Sequence, residues 1–242
     1  YLQMYREMGM ATFELKSFAS RDITSTVGTQ VEVTSAMMIL DAYKALVVLG
    51  NDPRIDIDRV AITGWSLGGS VALFSAWQPL KNAITSHHSF KAHLPIYPPC
   101  IVNLESVEFS DEPIHILIGE LDNWVPATAC EDMITDMQAA GADANITVYP
   151  NAHHSFDHLK PPEIVDNGYI LTDCRFRMRT DGALLMNFFD IPMITPLRQK
   201  IALALCASRG PTFGGNPKAR DAAFKFSRQF MADNLLVNAT GK

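Results

Sequence analysis

Apolar and polar positions along the chain change period several times, and the order of those changes predicts an architecture. Positions 1–8 read as the end of a helix closed by Gly9, and Met10-Ala11-Thr12-Phe13-Glu14-Leu15 reads as a strand. Over 32–49, Val33, Met37, Leu40, Tyr43 and Val47 recur at helical spacing until Asn51-Asp52-Pro53 stops the pattern. Arg59-Val60-Ala61-Ile62-Thr63 is a short β-branched run, and Ser70-Val71-Ala72-Leu73-Phe74-Ser75-Ala76-Trp77 is the small, apolar sequence of a helix packed on a sheet. Further strands are expected over 92–97, broken by Pro98-Pro99, over Ile114-His115-Ile116-Leu117-Ile118-Gly119, and over Asn145-Ile146-Thr147-Val148-Tyr149. A helix over 127–140, ended by Gly141, separates the last two. Residues 160–196 hold four prolines and no clear period, so 160–215 reads as a long irregular excursion. The close is a helix with Asn216 as N-cap, Pro217 in its first turn, and Ala219, Ala223, Phe226 and Phe230 down one face.

Strands alternating with helices predict an α/β fold: a mostly parallel sheet with helices on both faces. With 242 residues and 48% hydrophobic content, one domain over 1–242 is expected. The net charge of −6 and scattered Lys and Arg favour neither nucleic acid nor an anionic membrane as partner. Apolar runs fall short of the ~18–20 residues of a spanning helix.

The chemistry is concentrated in Gly64-Trp65-Ser66-Leu67-Gly68-Gly69. G-x-S-x-G between a strand and a helix is the context of a nucleophile elbow, whose turn is so tight that residues without a Cβ are needed beside the serine. The Ser66 hydroxyl then stands at a helix N-terminus, where the backbone N–H of Leu67 is free to hold a developing oxyanion. Open α/β sheets keep their sites at the carboxyl ends of strands. Three such ends carry Ser66, Asp122 and His154, in the chain order Ser, acid, His of α/β-hydrolases. A serine is a poor nucleophile until a neutral imidazole takes its proton, and the imidazolium needs a buried carboxylate.

Gly64-Trp65-Ser66-Leu67-Gly68-Gly69, Gly119-Glu120-Leu121-Asp122-Asn123-Trp124-Val125-Pro126 and Tyr149-Pro150-Asn151-Ala152-His153-His154-Ser155-Phe156-Asp157 together resemble the three signature segments of the dienelactone hydrolase family. The resemblance covers roughly residues 9 to 159 and implies an α/β-hydrolase fold and cofactor-free hydrolysis of an ester or lactone. It gives Ser66 as nucleophile, Asp122 as acid and His154 as base. Ser66 stands where members that open dienelactones carry Cys, and Asn151 where a glycine is usual; Asn also accepts αL geometry. The fold implied has strands before Met10, one of whose loops supplies the second oxyanion N–H, so roughly another 60–120 upstream residues are expected. The alternative is a non-catalytic member of the same fold that binds a small molecule.

Trp65 and Trp124 flank the serine and the acid and are read either as walls of a substrate pocket or as packing anchors. His153, beside His154, is expected to face outward, because neighbouring side chains of an extended loop point to opposite sides. His87 and His88 read as solvated turn residues, Glu120 as a local capping or pairing group, and Met37-Met38 as core packing. Arg21 is read as a surface arginine, with a substrate carboxylate as the lesser alternative. No metal is implied. The four cysteines permit three pairings, or four buried thiols in a cytoplasmic enzyme. Cys100–Cys130 and Cys174–Cys206 would each close about 30 residues, worth roughly 3–4 kcal/mol. The family resemblance also favours this pairing, and with it a periplasmic or secreted location.

Overall fold

The computed structural model describes residues 1–27, 33–85, 87–186 and 189–236. In chain order its elements are α1 (Leu2–Glu7), α2 (Ser35–Gly50), β1 (Ala61–Trp65), α3 (Leu67–Phe74), α4 (Gln78–Ile84), β2 (Ala92–Ile96), β3 (Val102–Leu104), β4 (Ile114–Gly119), α5 (Ala127–Ala139) and β5 (Ala144–Tyr149). Then come β6 (Glu163–Ile164), β7 (Tyr169–Ile170), β8 (Phe176–Met178), β9 (Leu184–Leu185), α6 (Pro196–Cys206), β10 (Ser208–Arg209), β11 (Thr212–Phe213) and α7 (Pro217–Leu235).

The main sheet has the order β1-β2-β4-β5 and is parallel throughout. Parallel neighbours need crossovers, supplied here by α3 between β1 and β2 and by α5 between β4 and β5. Every residue of β2 is buried and β4 nearly so, which is why both read as apolar runs without alternation. Helices flank this sheet in an α/β-hydrolase fold. No described helix is long and apolar enough to cross a membrane.

Caps fall where the sequence puts them. Asn216 accepts the Ala219 N–H at the start of α7, whose buried line is Ala219, Ala223, Ser227 and Met231. Phe226 and Phe230 lie beside that line and pack on the His115 ring. Gly9 and Gly141 follow their helices at positive φ.

Three expectations need correction. The 10–15 segment is not a strand: it pairs with no other strand among the described residues, and Phe13 and Leu15 are exposed. The 32–49 helix forms over α2 (Glu32 lies outside the described residues), but with another face inward. Ile39, Ala42, Tyr43 and Leu46 are buried, whereas Met37, Leu40 and Val47 are exposed. A helix apolar nearly all round leaves its phase to be chosen by what it packs against, here α3. The 160–215 excursion is also less irregular than its periodicity predicts. It contains α6, with Thr195 as N-cap and Pro196 in the first turn, and two-residue ladders pairing β6 with β11 and β7 with β10. β8 joins β3 and β9 in a third small sheet. The disulfides Cys100–Cys130 and Cys174–Cys206 are both present.

Candidate active site

Ser66 sits between β1 and α3 with φ 53 and ψ −116, a backbone conformation L-residues rarely adopt. The turn holds it there: its N–H donates to the Ile96 carbonyl at 3.0 Å, fastening the end of β1 to β2. The glycines make room. A Cβ on Gly64 would collide with the Gly68 carbonyl, and one on Gly69 would stand 2.7 Å from the Ile96 oxygen. Leu67 is the first residue of α3, so its N–H has no acceptor within the helix.

Asp122 follows β4 in a turn closed by its own N–H to the Gly119 carbonyl at 3.2 Å. Its Oδ1 accepts the backbone N–H groups of Trp124 at 3.0 Å and Val125 at 2.9 Å, leaving Oδ2 for one more donor. That donor is His154 Nδ1 at 2.7 Å, and His154 Nε2 lies 3.0 Å from Ser66 Oγ. An ionised carboxylate only accepts, so Nδ1 carries the proton and the Nε2 lone pair faces the serine hydroxyl. Both Asp122 and His154 are buried.

The loop after β5 is shaped for this. Asn151 has φ 54 and Ser155 has φ 56, the two bends on either side of His154. Gly119 lets the Ala152 carbonyl approach where a Cβ would collide, and that carbonyl accepts from Leu121 N at 2.8 Å. Glu120 caps locally, its carboxylate taking the Asn151 N–H at 2.8 Å. Phe156 is fully buried beneath the loop against Tyr97 and Tyr149. His153 turns away, with Nδ1 3.1 Å from the Leu121 carbonyl.

The two tryptophans part company. Trp124 lies with its ring centroid 5.1 Å from that of His154. Trp65 instead gives its indole N–H to Asp157 at 3.0 Å and packs edge-on against Tyr1, an anchoring arrangement. Tyr97 was not singled out by the sequence, yet its ring stands 4.8 Å from His154 and its hydroxyl donates to Asp157 at 2.9 Å. The signal was available, since Tyr97 directly follows β2, just before Pro98-Pro99, and Asp157 closes the histidine segment. Arg21 is paired with Asp41 in a two-pronged ion pair at 2.6 and 3.0 Å and donates to the Ser17 carbonyl at 2.8 Å, the arrangement of a structural arginine.

The excursion is stitched to these loops. Thr212 N–H donates to Asn123 Oδ1 at 2.9 Å, Leu171 N–H to the Trp124 carbonyl at 3.2 Å, and Gly214 N–H to the His154 carbonyl at 2.9 Å. Two other histidines stay apart from the site. Burial pushes His93 in β2 and His115 in β4 down to about 4, so both are neutral scaffold groups.

The sequence profile of the dienelactone hydrolase family matches residues 3–170. A protein of Yersinia pestis named "Putative carboxymethylenebutenolidase" is 34% identical over 104 residues, 42% of this chain and 39% of the relative. One of the same name from Escherichia coli O157:H7 is 33% identical over 107 residues, 42% of this chain and 38% of the relative. The chain thus spans about two fifths of the length of these curated relatives. Among solved structures, a "Putative Dienelactone Hydrolase" from Klebsiella pneumoniae superposes with TM-score 0.41 at 27% identity, covering 52% of each chain. Esterase 2 of Thermogutta terrifontis gives 0.42 at 20%, covering 53% of this chain and 59% of its own.

Proposed function

This chain belongs to the dienelactone hydrolase family, and from that premise we propose that it is a serine hydrolase cleaving a carboxylic ester or lactone. The observation that carries this is the continuous hydrogen-bond line Ser66–His154–Asp122 at a strained elbow. Ser66 Oγ attacks the substrate carbonyl carbon while His154 Nε2 takes the hydroxyl proton. Asp122 holds the imidazole by Nδ1 and stabilises its charged form. The carbonyl oxygen, now an oxyanion, receives the Leu67 N–H at the α3 N-terminus, where the helix dipole also favours negative charge. Collapse of the tetrahedral adduct passes the proton to the departing alkoxide and leaves an acyl-Ser66 ester. Water, deprotonated by His154, then attacks that ester, and collapse of the second adduct returns the proton from His154 to Ser66 Oγ as the acid is released.

Trp124, beside the imidazole, walls the substrate pocket, and Trp65 anchors the elbow. No cofactor enters the scheme; the partner is a small-molecule ester or lactone. The two disulfides fit an oxidising compartment, and a periplasmic or secreted location is part of the proposal. A fluorophosphonate probe tests the chemistry: one label per chain on Ser66 is expected, with none on a folded Ser66→Ala variant that also fails to turn over p-nitrophenyl esters. An unlabelled, inactive wild type favours the binding-protein alternative, and undiminished turnover by Ser66→Ala removes the mechanism.

A further inference from the structure

We infer that Asp157 is a positioning residue that sets the approach of His154 to Ser66, an inference that rests on the serine-hydrolase reading above. Asp157 lies three residues beyond His154 on the same loop. Its two carboxylate oxygens are taken by side chains of two different strand ends: Oδ2 by the Trp65 indole N–H at 3.0 Å, Oδ1 by the Tyr97 hydroxyl at 2.9 Å. Those two residues frame the nucleophile. Trp65 immediately precedes Ser66, and Tyr97 immediately follows Ile96, whose carbonyl holds the Ser66 N–H. Trp65 and Ile96 are also register partners across β1 and β2. One carboxylate therefore ties the loop of the base to both strands that carry the elbow.

Tyr97 shows how much its placement is imposed. Its φ is 39, a left-handed conformation that a bulky aromatic adopts only when its surroundings over-determine it. The surroundings are its N–H to the Leu117 carbonyl at 2.6 Å at one end and its hydroxyl to Asp157 at the other. Between them the ring presents itself to His154 at 61° and backs onto Phe156. Burial, more than the neighbouring carboxylate, raises the Tyr97 phenol well above its ordinary range, so it remains a donor to Asp157. The Arg220 guanidinium donates to the Asp157 backbone carbonyl at 3.2 Å, fixing the loop to α7 without occupying the carboxylate. Loss of that carboxylate frees Tyr97 and Trp65 together, and with them the surface against which the imidazole is registered.

The test compares wild type with Asp157→Asn, Tyr97→Phe, Trp65→Phe and the double variant Tyr97→Phe/Asp157→Asn. Each is assayed for kcat and KM on p-nitrophenyl butyrate and for the rate at which a fluorophosphonate labels Ser66. Tyr97→Phe keeps the ring and so reports on its hydrogen bond alone should the Asp157 variant fold poorly, while Trp65→Phe removes the indole N–H together with part of the ring. The expected result for Asp157→Asn and Tyr97→Phe is a kcat lowered about ten- to a hundredfold with KM within about twofold, and slower labelling in parallel. The double variant should be no slower than the slower single, because both remove one link. Unaltered kcat in folded variants, a change confined to KM, or multiplicative losses in the double variant overturn the inference. A wild type that neither labels nor turns over removes the hydrolase reading and the inference with it; labelled wild type with indifferent variants removes the inference alone.

Discussion

The carboxyl ends of β1, β4 and β5 and the excursion that follows them are held by different means. The strand ends hang from a parallel ladder whose central strands β2 and β4 are buried, and their loops are fixed by bonds from backbone N–H groups, such as Ser66 N–H to the Ile96 carbonyl and the Trp124 and Val125 N–H groups to Asp122 Oδ1. Among its described residues the excursion has ladders of two or three residues, the helix α6 and the Cys174–Cys206 link, and it meets the site through single bonds. The proposed reacting groups thus sit on the ladder's loops, and the contrast predicts that the excursion beside them can vary without moving them.

The sharpest way to break this comparison lies within one loop. His154→Ala should lower turnover by several orders of magnitude, as loss of a triad member does elsewhere, with folding unchanged. His153→Ala, which loses only a contact to the Leu121 carbonyl, should lower it about tenfold or less. Steady-state kinetics on a nitrophenyl ester decides, and the reverse result would shift the base by one residue.

Next in size is the Cys174→Ser/Cys206→Ser variant. It frees a closed loop with a sequence separation of 32 and should cost roughly 3–4 kcal/mol of stability. The loss should be local: hydrogen exchange should rise over 160–215 and KM should increase, while fluorophosphonate labelling of Ser66 persists. Labelling lost in step with exchange throughout the sheet would mean that the two regions unfold as one.

Acid should act on the other region. His93 and His115 both lie in the main sheet, and burial lowers each from 6.5 to about 4. The unfolded chain therefore binds more protons between those values. Stability is fully present above pH 6.5 and falls as pH drops toward about 4, by up to about 3 kcal/mol for the fully buried His93 and less for His115. Thermal unfolding followed from pH 7 to 4 should show the decline, reduced in His115→Gln. A flat profile would mean that neither imidazole stays neutral in the fold.

The same division explains what could be read from the sequence. Strand ends with a tight glycine turn, a Ser-acid-His order and long buried runs carry local signals, so β1, β2, β4, β5 and the residues that meet at Ser66 were legible. Two-residue strands have no period to read, and the α2 face was misassigned because Met37, Leu40 and Val47 are as apolar as the residues actually buried. α6 had a readable start in Thr195-Pro196, overlooked among the prolines of a stretch without period. Tyr97 meets Asp157 only through a contact 60 residues apart, which no periodicity encodes.

The smallest effect tests a single stitch. Asn123 lies next to Asp122, and its Oδ1 accepts the Thr212 N–H from β11, the strand that runs into Phe213 and Gly214 beside His154. The bond crosses from the acid loop to the excursion, so it belongs to neither region alone. Asn123→Ala removes the acceptor and leaves a half-buried amide to find water, at a cost of about 1 kcal/mol. Asp122 keeps the Trp124 and Val125 N–H groups, which are backbone donors and survive the change. If the excursion only walls the pocket, the cost appears as a KM raised up to about fivefold with kcat nearly unchanged. If kcat falls by as much as in a disturbed triad, the excursion also holds the acid in place, and the separation between rigid base and variable wall fails at this residue.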